Sequence, residues 1–133
     1  MPLVRIDVPM NTSEDKRRQI GDVVYNALKD VMHVPENDRF QIISSHFWSD
    51  LIIDKTYMGI ARSADAIIIQ ITLTGGRSVD QKKALYKAIA EGLHTATGMR
   101  IEDVFIGLVE VVKENWSYGN GIGQLIRDTP PAP

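Results

Sequence analysis

Met1-Pro2-Leu3-Val4-Arg5-Ile6-Asp7-Val8 opens the chain. Pro2, Val4, Ile6 and Val8 alternate with Leu3, Arg5 and Asp7, the period-two pattern of a β-strand. Proline at a first strand position removes no ladder hydrogen bond, which is one sufficient reason for Pro2. A second reason is chemical. Removal of Met1, plausible beside so small a neighbour, leaves a secondary amine at the chain start. A reference α-amino group titrates near ~7.7–8, so modest burial or a nearby cation carries it across neutral pH. Fixed at the edge of a sheet, such an amine is a candidate acid–base catalyst.

Working outward, Asn11-Thr12-Ser13 offers helix caps, and Glu14 and Asp15 suit a first turn. Ile20, Val23, Val24, Ala27, Leu28, Val31 and Met32 recur at helical spacing and predict an amphipathic helix of roughly five turns. Val34-Pro35-Glu36-Asn37 breaks it. A second strand is expected from about Arg39 to His46, making a βαβ unit whose strands are parallel. Ala66–Leu73 is a β-branched strand closed by Gly75-Gly76, and Ser78-Val79-Asp80-Gln81 has the form of a capping box. The helix that follows carries Leu85, Ile89 and Leu93 and stops at Gly98. Val104–Val112 completes a second βαβ unit.

The two units align at a constant offset. Ile6 falls on Ile71, Ser13 on Ser78, Asp15 on Asp80, Leu28 on Leu93, Asp38 on Asp103 and Phe40 on Phe105. The expected fold class is therefore α+β: a tandem βαβ repeat forming a four-stranded mixed sheet with two helices on one face. Repeat one runs over about 1–46, an irregular connection over 47–64 and repeat two over about 65–112, all within a single domain 1–133. The connection reads as a loop or short hairpin with Leu51-Ile52-Ile53 as a short strand. Residues 113–133 read as a C-terminal turn or hairpin, ending in the loose tail Asp128–Pro133. Both faces of strands three and four are apolar. One helix layer covers only one face, so a further copy of the chain is expected on the other.

Composition narrows the chemistry. A net charge of −2 gives no electrostatic reason for a nucleic-acid or anionic-membrane partner. The absence of cysteine excludes disulfides, thiolate catalysis and zinc–thiolate sites. No apolar run is long enough to span a bilayer, and the start lacks a basic segment followed by an apolar one, so the cytoplasm is the expected compartment. His33, His46 and His94 share no ligand spacing, so no metal is expected; His46 and Trp48 read as structural.

The repeat permits a geometric inference. Parallel strands one and two start at the same sheet edge, where Pro2 opens one and Asp38 precedes the other. If a pseudo-twofold axis relates the repeats, strand three runs antiparallel to strand one. Gly75, Gly76 and Arg77 then follow strand three at that same rim. An amine, a carboxylate and a guanidinium in one place form a coherent set for acid–base work on a small carboxylate. Asp38 suits a turn cap equally well. Arg77 suits a solvated residue ahead of a helix. Gly75-Gly76 suits a simple turn or a close approach of backbone N–H groups to an anion. Trp116 and Tyr118, set among glycines, suit core packing or a pocket wall.

Taken in order, these segments resemble the tautomerase superfamily, and within it the malonate semialdehyde decarboxylase group. The residues that carry the resemblance are Pro2 on its strand, Val34-Pro35-Glu36-Asn37-Asp38-Arg39-Phe40, Gly76-Arg77-Ser78 with Gln81-Lys82, and Trp116-Ser117-Tyr118-Gly119. The resemblance implies a homotrimer with active sites near subunit boundaries. It implies Pro2 as catalytic amine, Asp38 as the carboxylate that assists proton transfer or activates water, and Arg77 as substrate anchor. Trp116, Tyr118 and Leu125 match its aromatic and apolar wall. One departure stands out. Where the group carries a second arginine, this chain has Gly75, and Gly76 replaces the intervening proline. The expected activity is keto–enol tautomerisation of a 2-oxo acid without a cofactor. The alternatives are decarboxylation or hydration of a β-oxo acid, and a non-catalytic oligomeric binding module.

Overall fold

The computed structural model describes residues 2–127; the expected tail lies outside them. Strand β1 covers Leu3–Pro9, with Val4, Ile6 and Val8 at most 1% exposed. Pro9 is the last residue of the strand. Helix α1 covers Glu14–Met32. Its N-cap is Ser13, whose hydroxyl accepts from the Lys16 N–H at 3.1 Å. Ile20, Val24, Ala27, Leu28 and Met32 form its buried stripe, and His33 ends it in the left-handed conformation at φ 57°. Strand β2 covers Phe40–His46.

The second unit repeats this plan. Strand β3 covers Ile67–Thr74, α2 Val79–Thr97 and β4 Val104–Val111. Ser78 and Gln81 close the full capping box, and Gly98 stops the helix at φ 73°, where a Cβ would be strained. The sheet order is β2-β1-β3-β4. β1 runs parallel to β2, β3 parallel to β4, and β1 antiparallel to β3, with Ile6 opposite Ile69 and Leu3 opposite Thr72. Both helices pack on one face, over Val4, Ile6, Val8, Ile67, Ile69, Ile71 and Leu73. At their crossing, a Cβ on Gly92 would stand 2.8 Å from Val23 Cγ1. Glycine is what lets the helices approach there.

The opposite face is apolar and open. Phe40, Ile42, Phe105 and Val109 are each 40–49% exposed on it. Asp7 and His46 share this face and pair at 2.6 Å between Oδ1 and Nε2. His46 therefore bonds across β1 and β2, in keeping with a structural role.

Residues 47–64 depart from the expectation at one point. Leu51–Ile53 form no strand, and the segment is built of turns with a 3-10 turn at Tyr57–Gly59. The reason is that no strand of the four-stranded sheet pairs with this stretch, which leaves its backbone to turns. The Asp54 carboxylate accepts from the N–H groups of Thr56 at 2.9 Å and Tyr57 at 2.8 Å, which lowers its pKa and bends the chain. The C-terminal hairpin is likewise reduced to a single antiparallel bridge, Gly119 to Ile122.

Candidate active site

The turn before β2 aims Asp38. Its N–H donates to the Pro35 carbonyl at 3.2 Å, and Asn37 takes φ 72°, a conformation asparagine tolerates. The Asn37 N–H donates to the Tyr25 hydroxyl at 3.2 Å, which fixes the turn on α1. Asp38 is thereby held at 9% exposure. Its repeat mate Asp103 is also buried but employed differently. It accepts from the Ser63 N–H at 2.7 Å and the Ser63 hydroxyl at 2.5 Å, sealing the equivalent end of the sheet with the 47–64 connection.

After β4 the chain turns back along the sheet rim. The Gln124 side chain clasps this return, accepting from the Tyr118 N–H at 2.9 Å and donating to the Gly119 carbonyl at 2.7 Å. Three rings then stack in series. Trp116 and Tyr118 lie 5.8 Å apart and 13° from parallel, and Tyr118 and Phe40 lie 6.5 Å apart at 30°. Against them sits Pro2, buried at the chain start. Pro2, Leu3, Phe40, Trp116, Ser117 and Tyr118 line one hollow of about 190 Å³.

The hydroxyl of Tyr118 is buried and has no hydrogen-bond partner among the described residues. Its pKa is raised above the ordinary 10.0, first by loss of water and then by the negative charge of Asp38. The phenol thus remains a proton donor at neutral pH. We expect Asp38→Asn to lower the Tyr118 pKa toward, but not below, the ordinary tyrosine value, because burial still acts. A spectrophotometric titration of the variant and wild type, each with and without Tyr118→Phe, isolates this tyrosine. An unmoved midpoint would show that the two groups do not sense each other.

Arg77 lies just past β3, half-buried, and its Nη1 donates to the Thr74 carbonyl at 2.7 Å. Thr74 also receives the Trp116 indole N–H at 3.0 Å on its Oγ1. The rim therefore gathers Pro2 with the aromatic wall, couples Asp38 to that wall through Tyr118, and joins Arg77 to it through Thr74. Gly75 donates its N–H to Val111 at 3.0 Å, and Gly76 takes φ 114° with open space where a Cβ would point. A Cβ on Gly75 would stand 2.8 Å from Glu110 Oε2, and Glu110 pairs with Lys82 through its other oxygen. Leu125 lies elsewhere, in a groove shared with Val112, Lys113, Gln124 and Ile126. Sequence reasoning missed Phe40 and Thr74 as site residues. Phe40 was visible as a strand residue, as the repeat mate of Phe105 and within the segment that carries the resemblance, but not as part of a wall, and Thr74 only as the residue before two glycines.

Among the described residues no group of histidine, aspartate and glutamate side chains could hold a metal ion, and no helix is long and apolar enough to cross a membrane.

A buried Pro2 at the head of β1 against an aromatic wall, on a duplicated βαβ sheet, points to a class, and the comparisons agree. The sequence model of a family described as "Tautomerase enzyme" matches residues 38–119, and another with the same description matches residues 2–47. The chain belongs to the tautomerase family of enzymes. It is 37% identical to the probable tautomerase YusQ of Bacillus subtilis (strain 168), over 95% of this chain and 99% of that one. Among solved structures it is similar to FG41 malonate semialdehyde decarboxylase inhibited by 3-bromopropiolate, at TM-score 0.86 and 38% identity, covering 92% of each chain. It is also similar to a malonate semialdehyde decarboxylase described with decarboxylase and hydratase activities, at TM-score 0.86 and 28% identity over 92% of this chain and 95% of that one.

Proposed function

We propose that this chain, one tautomerase domain, is an acid–base enzyme acting on small oxo-carboxylates, with keto–enol tautomerisation of a 2-oxo acid as its main reaction and no cofactor. The observation that carries the reading is the hollow in which Pro2 faces Trp116 and Tyr118. In this reading the mature chain begins at Pro2, and its neutral amine exchanges the proton at the carbon beside the carbonyl. Arg77 holds the substrate carboxylate through charge-assisted hydrogen bonds. Asp38, buried nearby, stabilises the ammonium that forms. The orphan hydroxyl of Tyr118 donates to the oxygen on which enolate charge develops.

The direct test is covalent. Incubation with 3-bromopropiolate, followed by peptide mapping, is expected to place one adduct on the Pro2 nitrogen. Label on another residue, or an N-terminal peptide that still carries Met1 in active protein, would remove Pro2 from the mechanism.

A second reading, decarboxylation or hydration of a β-oxo acid, is favoured by the 38% identity to FG41 malonate semialdehyde decarboxylase. It needs Pro2 as an ammonium that polarises the carbonyl. Gly75 weighs against it, because one guanidinium orients a carboxylate or a carbonyl well, but not both.

The same reading includes a homotrimer. Its supports are the open apolar sheet face and the trimeric assembly of fused 4-OT, at TM-score 0.74 and 19% identity. Sedimentation equilibrium is expected to return three times the 14.9 kDa chain mass. A monomer at micromolar concentration would refute the trimer.

A further inference from the structure

We propose that Thr74 is a positioning residue that sets the aromatic wall and the carboxylate anchor together. The assignment rests on the roles proposed above for Trp116 and Arg77; the contacts themselves do not.

Alternation along β3 decides where the side chain goes. Leu73 is 2% exposed and points into the helix-covered core, so Thr74 presents its hydroxyl on the opposite side, toward the rim. There Oγ1 accepts the indole N–H of Trp116 at 3.0 Å, a contact that spans the sequence from the end of β3 to the C-terminal return. The main-chain oxygen of the same residue accepts Nη1 of Arg77 at 2.7 Å. The two elements that meet substrate in this reading are thus hung on the two oxygens of one residue. Trp116 is half-buried and stacks on Tyr118, so a turn of the indole is passed along the wall toward Pro2. No other described side chain accepts from the indole nitrogen, and Gly75 and Gly76 beside Thr74 have no side chains to brace the wall.

The test uses the full-length chain. Thr74→Val keeps the shape and the main-chain carbonyl but removes the acceptor; Thr74→Ser keeps the acceptor. For phenylenolpyruvate ketonisation we expect Thr74→Val to raise KM roughly two- to tenfold, the range for one neutral hydrogen bond, with kcat little changed. Thr74→Ser restores KM. In 1H–15N spectra the Trp116 indole resonance moves in the valine variant and returns in the serine variant, while that of Trp48 stays in place as reference. In a Trp116→Phe background Thr74→Val adds no further penalty, the signature of a residue acting through another. A valine variant with a displaced indole resonance and unchanged KM would overturn the proposal. So would a full valine penalty that persists without Trp116. Phenylpyruvate binding, read through the same resonances, gives the affinity comparison independently of turnover. Wild-type protein that binds phenylpyruvate but does not ketonise phenylenolpyruvate would sink the tautomerase reading and leave the positioning role to be decided by binding alone.

Discussion

Pro2→Ala lowers kcat/KM for ketonisation of phenylenolpyruvate by about a hundredfold, the lower end of the range for a positioned acid–base group. The lower end is expected because alanine leaves a primary amine in place. What it loses is the ring that fixes the direction of the nitrogen and packs in the hollow beside Leu3 and Trp116. Protein that retains Met1 has an amide at Pro2 and is expected to fall to background, because an amide nitrogen is not a base. Steady-state kinetics on mass-verified samples separate the two cases. Equal rates for wild type and Pro2→Ala, both fully processed, would sink the amine mechanism while leaving the fold intact.

Arg77→Ala lowers kcat/KM by roughly ten- to a hundredfold, the consequence of losing one charged hydrogen-bonding partner, and the loss falls mainly on KM. The effect is large because Gly75 supplies no second guanidinium to take over. Arg77→Lys recovers only part of it, since an ammonium cannot make the paired contacts of a planar guanidinium. A substrate analogue with an uncharged amide in place of the carboxylate is expected to bind wild type and Arg77→Ala alike. If the alanine variant loses as much with that analogue as with the acid, Arg77 does not anchor a carboxylate.

Much of the architecture could be read before any coordinates because the chain states its plan twice. Ile6 and Ile71 fill the same kind of place in antiparallel strands, and the caps at Ser13 and Ser78 do the same work at the two helix starts. The segment without a repeat mate, 47–64, was misread at Leu51–Ile53, because the isoleucines carry a strand-like pattern while no strand of the sheet pairs with them. The expectation that Pro2, Asp38 and Arg77 share one rim came from strand polarity, and the pairing of Leu3 with Phe40 and with Thr72 does set those three strand ends side by side. The stacked wall did not follow. The stacking of Phe40 on Tyr118 and the bond from Trp116 to Thr74 join residues far apart in sequence, and nothing local signals them. Leu125 shows the same limit, since its place depends on how the C-terminal return folds around Gln124.

The crowding between Gly75 and Glu110 bears on how this pocket can change over evolutionary time. An arginine introduced at that position meets a carboxylate before it meets a ligand, and the nearest anion would capture it. A guanidinium placed there would compete with Lys82 for Glu110 unless that carboxylate swings aside. Replacing Glu110 at the same time would cost Lys82 its ion-pair partner. The residue at position 75 is thus coupled to an ion pair on the neighbouring strand and helix, and is not free to vary by itself.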